Sequence, residues 1–186
     1  MKLVLVRHGE PDYSHVTERG FKGHGMDLAQ LTEQGVLQAK KAAKDERLKG
    51  AQLIVASPYT RAMQTAAIIS KETGLDISVE TDLHEWIPDL KFDFTSDDIV
   101  AAAAKECSAC KGEYTEEEPK SWEKLSTVAS RAFKCLENYL NYDKVIVVCH
   151  GVVMRQFQFH KEIPYCGIIE VDFDKDFKWC GWVEHK

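Results

Sequence analysis

The chain has 186 residues, 44% of them hydrophobic and 29% charged, an ordinary composition for a globular protein with room for one substantial core. Its formal net charge of −6 excludes a diffuse basic surface for nucleic acid, so an anionic substrate has to be met by a concentrated cationic site. No apolar run approaches the roughly 18 residues of a membrane span, and the stretch before Arg7 is too short for a secretory core, which points to a cytoplasmic address with no membrane partner.

Residues 2–6 are a short apolar run that reads as a buried strand ending at Arg7. Residues 11–29 lack periodicity and hold Gly20, Gly23 and Gly25, so they read as loop. Thr32 has the form of an N-cap for a helix over residues 33–48, with Val36, Leu37, Ala39, Ala42 and Ala43 apolar and Gly50 closing the stretch. Residues 53–56 form a second buried strand. Ser57-Pro58 then opens a helix running to about Thr73, stopped by Gly74, and a short strand follows at 77–79.

Residues 86–120 differ in character, mixing Pro88, acidic pairs, four alanines at 101–104 and an acidic triplet at 116–118. They read as an irregular, partly helical insertion packed over the core, with the charge run as a solvated face. A long helix is predicted over 122–141, with Leu125, Val128, Ala129, Ala132, Leu136 and Tyr139 on one stripe. Residues 145–149 are a third buried strand, leading into His150-Gly151 and a helix to about residue 160. The tail alternates over 167–173 and 177–183 around Asp174-Lys175-Asp176, which predicts a hairpin. Strands alternating with helices predict an α/β fold with a largely parallel sheet, and no linker divides the 186 residues into more than one domain.

Six cysteines stand at positions 107, 110, 135, 149, 166 and 180. Only Cys107 and Cys110 have a suggestive spacing. One such pair cannot supply the about four ligands of a structural zinc site, and it does not follow a strand as a redox dithiol does; all six read as reduced thiols.

In parallel α/β sheets, ligands bind beyond the carboxyl ends of the strands. The first strand delivers Arg7-His8-Gly9-Glu10 there, the second Ser57-Pro58-Tyr59-Thr60-Arg61, and the third Cys149-His150-Gly151. A single arginine or histidine in such a place reads as a surface ion pair or a turn residue. Two of each at three strand ends make the local cationic pocket that the acidic net charge demands. Glycine directly after each histidine lets the backbone turn sharply and leaves room for a tetrahedral anion beside the imidazole.

Leu3-Val4-Leu5-Val6-Arg7-His8-Gly9-Glu10 resembles the signature of the histidine phosphatase superfamily, also called the phosphoglycerate mutase-like family. The resemblance continues through Leu31-Thr32-Glu33-Gln34-Gly35 with Gln38-Ala39, through Ser57-Pro58-Tyr59-Thr60-Arg61-Ala62-Met63-Gln64-Thr65-Ala66, and through Val147-Val148-Cys149-His150-Gly151. It implies a three-layer α/β/α fold with a mostly parallel central sheet. It also implies a phosphohistidine on His8, with Arg7, Arg61 and His150 on the phosphate oxygens and a carbonyl near Gly9 holding the proton of the other ring nitrogen. Glu85, in Leu83-His84-Glu85-Trp86, falls where the family has its proton donor; Asp82 and Asp89 remain competitors. No cofactor or metal is implied, since guanidinium and imidazolium groups carry the positive charge.

The chain departs from the family pattern at Pro11, Tyr13 and Ser14, which stand where Thr or Ser, Trp and a phosphate-holding Asn are usual. Ser14 retains one hydrogen-bond donor. The loop that follows lacks the arginines of phosphoglycerate mutases, which favours a phosphatase of a small phosphorylated metabolite over a mutase or an idle phosphate-binding module. An α-ribazole phosphatase-like role fits the family and size. The insertion at 86–120 is expected to roof the pocket and, through its acidic residues, to disfavour polyanions. The oligomeric state is not written in the sequence.

Overall fold

The computed structural model describes residues 1–183. In chain order its elements are β1 (Lys2–Arg7), β2 (Pro11–Asp12), α1 (Ser14–Glu18), β3 (Gln30–Leu31), α2 (Glu33–Ala42), β4 (Leu53–Ala56), α3 (Thr60–Thr73), β5 (Ile77–Val79), α4 (Asp97–Ala109), α5 (Leu125–Glu137), β6 (Lys144–Cys149), α6 (Gly151–Phe157) and β7 (Ile168–Asp172). Five strands form the main sheet in the order β5-β4-β6-β1-β7. The first four are parallel, and β7 closes the β1 edge antiparallel.

The unbroken apolar runs of β1 and β6 are explained by burial on both faces. Leu3, Leu5, Val145 and Val147 point into a core with Trp122, Val128, Leu136, Val153 and Phe157. Their neighbours Val4, Val6, Ile146 and Val148 join Ile54, Ala62, Ala66 and Ile69 on the opposite side. Helices α5 and α6 therefore cover one face and α3 the other, with α2 packed against α3. This is the three-layer arrangement with a mostly parallel sheet.

Local chemistry accounts for where the elements stop. Thr32 Oγ1 accepts from Gly35 N at 2.8 Å and caps α2 as predicted. The helix ends at Ala42, short of residue 48, because the Asp45 carboxylate takes Arg47 N at 3.0 Å and starts a separate turn, Glu46–Leu48. Helix α3 starts at Thr60, after an extended Tyr59, and ends at Gly74 with φ 74°, the left-handed stop that its glycine allows. Helix α5 is shorter than the predicted 122–141. Trp122 stands outside it, fully buried, with its indole N–H on Glu106 Oε2 at 2.9 Å. Helix α6 ends at Phe157, a few residues before 160.

Two expectations fail. The stretch 11–29 is not all loop: β2 pairs with β3, α1 follows, and Gly23–Leu28 forms a 3-10 turn around buried Val16 and Met26. The tail does not form a hairpin. Residues 168–172 pair with β1, but 177–183 hold no strand. Phe177 instead packs with Phe133, Phe157 and Phe173, and Trp179 donates to Gln156 Oε1 at 2.8 Å, so side-chain contacts fasten this segment to the α5–α6 layer. Among the described residues no helix is long and apolar enough to cross a membrane.

Candidate active site

The carboxyl ends of β1, β4 and β6 meet at one crevice. His8 N donates to Cys149 O at 3.0 Å, extending the β1–β6 pairing one residue beyond the strand and fixing the imidazole in the crevice, where only 5% of the residue is exposed. Its Nδ1 lies 2.7 Å from Gly9 O. A carbonyl only accepts, so Nδ1 carries the hydrogen and Nε2 keeps a free lone pair. Burial, the Arg61 charge and then Arg7 push the His8 pKa down to about 3 against the opposing pull of the Gly9 carbonyl. The ring is a neutral base at neutral pH.

Gly9 is needed for a reason other than a sharp turn. A Cβ there would stand 2.6 Å from Gly35 O, and one on Gly35 would stand 2.3 Å from Glu10 O. The loop after β1 thus lies directly on the start of α2, and Thr65 fastens it from α3 by accepting from Gly9 N at 3.0 Å while donating to Arg61 O at 2.8 Å. At Gly151 a Cβ would meet only ordinary contacts, the nearest being Arg7 Nε at 3.6 Å.

His150 is wholly buried at the start of α6, its ring 5.1 Å from that of His8 and tilted 58° to it. Its Nε2 is 2.7 Å from Ser57 Oγ, and burial and the nearby Arg61 charge hold its pKa well below that of a free histidine. With Ser57 donating to Nε2, the hydrogen sits on Nδ1 and faces away from the serine. Arg61, buried in the first turn of α3, donates to Asp27 Oδ1 at 3.2 Å and lies 5.0 Å from the Tyr59 ring. Arg7 donates to Ile163 O at 2.6 Å under the Tyr165 ring, 4.3 Å away. Arg7 Nε, Arg61 Nε and His150 Nδ1 are buried and make no hydrogen bond within the protein. Two unspent guanidinium N–H groups and an unpartnered imidazole nitrogen, buried in the crevice of a neutral nucleophile, suit a tetrahedral oxyanion.

Glu85 sits after the turn Thr81–Leu83 and lines, with Arg61, a cavity of ≈ 160 Å³. It accepts from Trp86 N at 2.9 Å and Val152 N at 3.4 Å, yet burial dominates and raises its pKa above the ordinary carboxyl value. The competing carboxylates are placed elsewhere. Asp82 is exposed, and Asp89 is committed to its own turn, accepting from Lys91 N and Asp93 N at 3.1 Å each. Neither they nor Ser14, which is exposed, lines this cavity; Tyr13 does.

The structure therefore brings Arg7, His8, Arg61, His150 and Glu85 together. It adds residues the sequence reading did not single out. Ser57 and Thr65 lie inside the Ser57–Ala66 motif, but Asp27 and Tyr165 have no local signal. The described cysteines are free thiols; Cys107 is buried, its pKa pushed up to about 12. Among the described residues no group of three or more His, Cys, Asp or Glu side chains could hold a metal ion.

A family model described as the histidine phosphatase superfamily (branch 1) matches residues 3–171. A probable phosphoglycerate mutase GpmB of Enterobacter sp. (strain 638) is 36% identical over 85 residues, which are 46% of this chain and 38% of that protein. The match thus spans less than half the length of that curated relative. Among solved structures, a mycobacterial glucosyl-3-phosphoglycerate phosphatase in complex with VO3 superposes with a TM-score of 0.71 at 24% identity, covering 95% of this chain and 93% of that one. The α-ribazole phosphatase from Shigella flexneri gives 0.66 at 21% identity, with the same coverage. At these identities the likeness is one of fold.

Proposed function

The chain belongs to the histidine phosphatase superfamily, and we propose that it hydrolyses a small phosphomonoester through a phosphohistidine on His8. The observation that carries this reading is the His8 ring itself: its Nδ1 hydrogen is spent on Gly9 O, so Nε2 keeps a lone pair in a crevice where Arg7 Nε, Arg61 Nε and His150 Nδ1 are buried without hydrogen-bond partners. In the first step Nε2 attacks phosphorus, the bond to the ester oxygen breaks, and Glu85 gives that oxygen its proton. In the second, Glu85 takes a proton from water as the water oxygen attacks phosphorus, and the P–N bond returns its electron pair to Nε2. Splitting the displacement in this way replaces one difficult step by two easier ones.

The two arginines stabilise the equatorial oxygens with permanent, forked charge, and the His150 N–H adds a neutral donor. Positive charge is supplied without a metal. Residues 86–120 contribute Trp86, Ile87, Pro88, Phe92, Phe94 and Val100 to the cavity wall, which supports a cap over the site within one domain. The free thiols fit a reducing, cytoplasmic compartment. The substrate belongs among small phosphorylated metabolites, an α-ribazole phosphatase-like role included.

The test is direct. His8→Ala should abolish turnover and acid-labile phosphate labelling, while EDTA leaves the wild type unchanged; a fully active His8→Ala enzyme refutes the covalent route. The likeness to a phosphoglycerate mutase makes the partition of the phosphoenzyme worth measuring in the same assay. Phosphate release should exceed isomerisation of phosphoglycerate, and the reverse would make the chain a mutase.

A further inference from the structure

The cavity beside Arg61 and Glu85 has a chemical character that neither the phosphate clamp nor the proton transfer requires. Its wall is built of rings, with Tyr13, Tyr59, Trp86, Phe92 and Phe94 all facing it. Among the described residues that line it, Arg61 is the only one with a permanent positive charge, and its own acids are Asp27 and Glu85. Asp27 already spans Arg61 and His24, with Oδ1 3.2 Å from Arg61 Nη1 and Oδ2 3.1 Å from His24 Nδ1. Once Arg61 holds a phosphoryl group, no second fixed cation lines the cavity to receive a carboxylate or another phosphate.

Phe92 marks the mouth. It is 38% exposed and has φ 55°, a backbone conformation costly for a bulky residue without a compensating role. The surroundings enforce it. Its carbonyl lies so close to Gly23 that a Cβ there would come within 2.1 Å, Gly23 N donates to Phe94 O at 2.9 Å, and the Phe92 ring stacks on His24 at 4.3 Å. The 21–28 and 88–100 segments are thus pinned together so as to hold an aromatic face at the entrance. The volume, ≈ 160 Å³, is close to the about 150 Å³ of an apolar protein cavity that accommodates benzene.

Building on the phosphatase reading, we infer that the leaving group places an uncharged, flat apolar ring in this cavity, and that esters bearing a carboxylate or a second phosphate are poor substrates. The ring lies against Phe92 and Tyr59 while the Asp27 carboxylate repels anionic leaving groups. Stacking supplies affinity without a charged partner.

Binding and turnover separate the two claims. Calorimetry on the wild-type protein with benzylphosphonate, methylphosphonate and phosphonoacetate should give benzylphosphonate at least about tenfold the affinity of methylphosphonate, with phosphonoacetate weakest. Phe92→Ala should reduce the benzyl-to-methyl ratio by about fivefold, and Asp27→Asn should improve phosphonoacetate relative to methylphosphonate. Phosphonoacetate binding as tightly as benzylphosphonate in the wild type overturns the inference whatever the variants do. It leaves the phosphatase reading intact if phenyl phosphate is still hydrolysed. Absence of all binding together with absence of phenyl phosphate hydrolysis overturns both.

Discussion

Burial disfavours the charged form of both His8 and Glu85, but it serves opposite ends. For the imidazole it preserves a lone pair at every pH well above about 3, so the nucleophile does not set the acid limb of activity near neutrality. For the carboxyl it preserves a proton to give away, and that proton is lost as pH rises through a value above the ordinary glutamate range. With an alkyl phosphate, kcat should therefore fall on the alkaline side through the Glu85 titration. Glu85→Gln should remove that limb and slow alkyl esters by about 100-fold, while aryl esters, whose leaving oxygen needs little protonation, lose far less. Equal losses for the two ester types would assign the acid role to another group. At this scale Arg7, His8, Arg61 and His150 were legible because each ends or immediately follows a strand or opens the next helix. Glu85 was legible only through family resemblance, since a carboxylate in a loop has no pattern of its own. Ser57 and Thr65 act through one oxygen each, orienting His150 and joining Gly9 to Arg61, and such contacts depend on distances across the fold that no local spacing records.

Glu85 owes its place to α5 rather than to its own loop. Arg131 on that helix donates to Glu123 Oε1 at 2.7 Å and Oε2 at 3.0 Å, and also to the carbonyls of His84 at 2.8 Å and Glu85 at 3.4 Å. Glu123 in turn accepts from Ile87 N at 3.3 Å, and its carbonyl takes the Trp86 indole N–H at 2.6 Å. One nearly buried ion pair thus grips the chain on both sides of Glu85. Arg131→Ala should cost about 3 kcal/mol in urea denaturation, because it leaves the Glu123 carboxylate buried and unpaired. Arg131→Met with Glu123→Leu should recover most of that stability but not the alkyl phosphate activity, since the loop carbonyls still lack their donor. Full recovery of both would leave the pair without a positioning role. The existence of α2, α3, α5 and α6 was legible from apolar spacing, and so were the ends that Thr32 and Gly74 mark, whereas the other ends were not. Asp45 captures a backbone N–H that α2 would have used, and Phe177 exchanges an alternating strand pattern for an aromatic cluster. In both cases a side chain competes with the regular backbone arrangement, and periodicity carries no information about the winner.

For the whole molecule, the decisive property is that the two imidazoles come from opposite ends of the chain and are sealed in the same crevice of the central sheet. Folding removes both from bulk water, so their protonation is linked to overall stability. In the unfolded chain each binds a proton near the ordinary 6.5, while folded His8 holds out to about 3 and His150 is likewise depressed. Between those values the unfolded state binds more protons, so stability rises with pH and is lost as pH falls below 6.5. Each histidine contributes up to ~1.4 kcal/mol per pH unit in that window. Glu85 has the opposite sign, because its raised pKa makes the folded state hold a proton above the ordinary glutamate value, and its contribution is lost as pH rises. From pH 6 to pH 5 the unfolding free energy should therefore drop, and His8→Gln should make that drop smaller by up to ~1.4 kcal/mol. Urea titrations at the two pH values measure it. Identical drops in wild type and His8→Gln would mean that the folded ring takes up its proton as readily as the unfolded one, and that the neutral nucleophile on which the chemistry depends is not held by the fold.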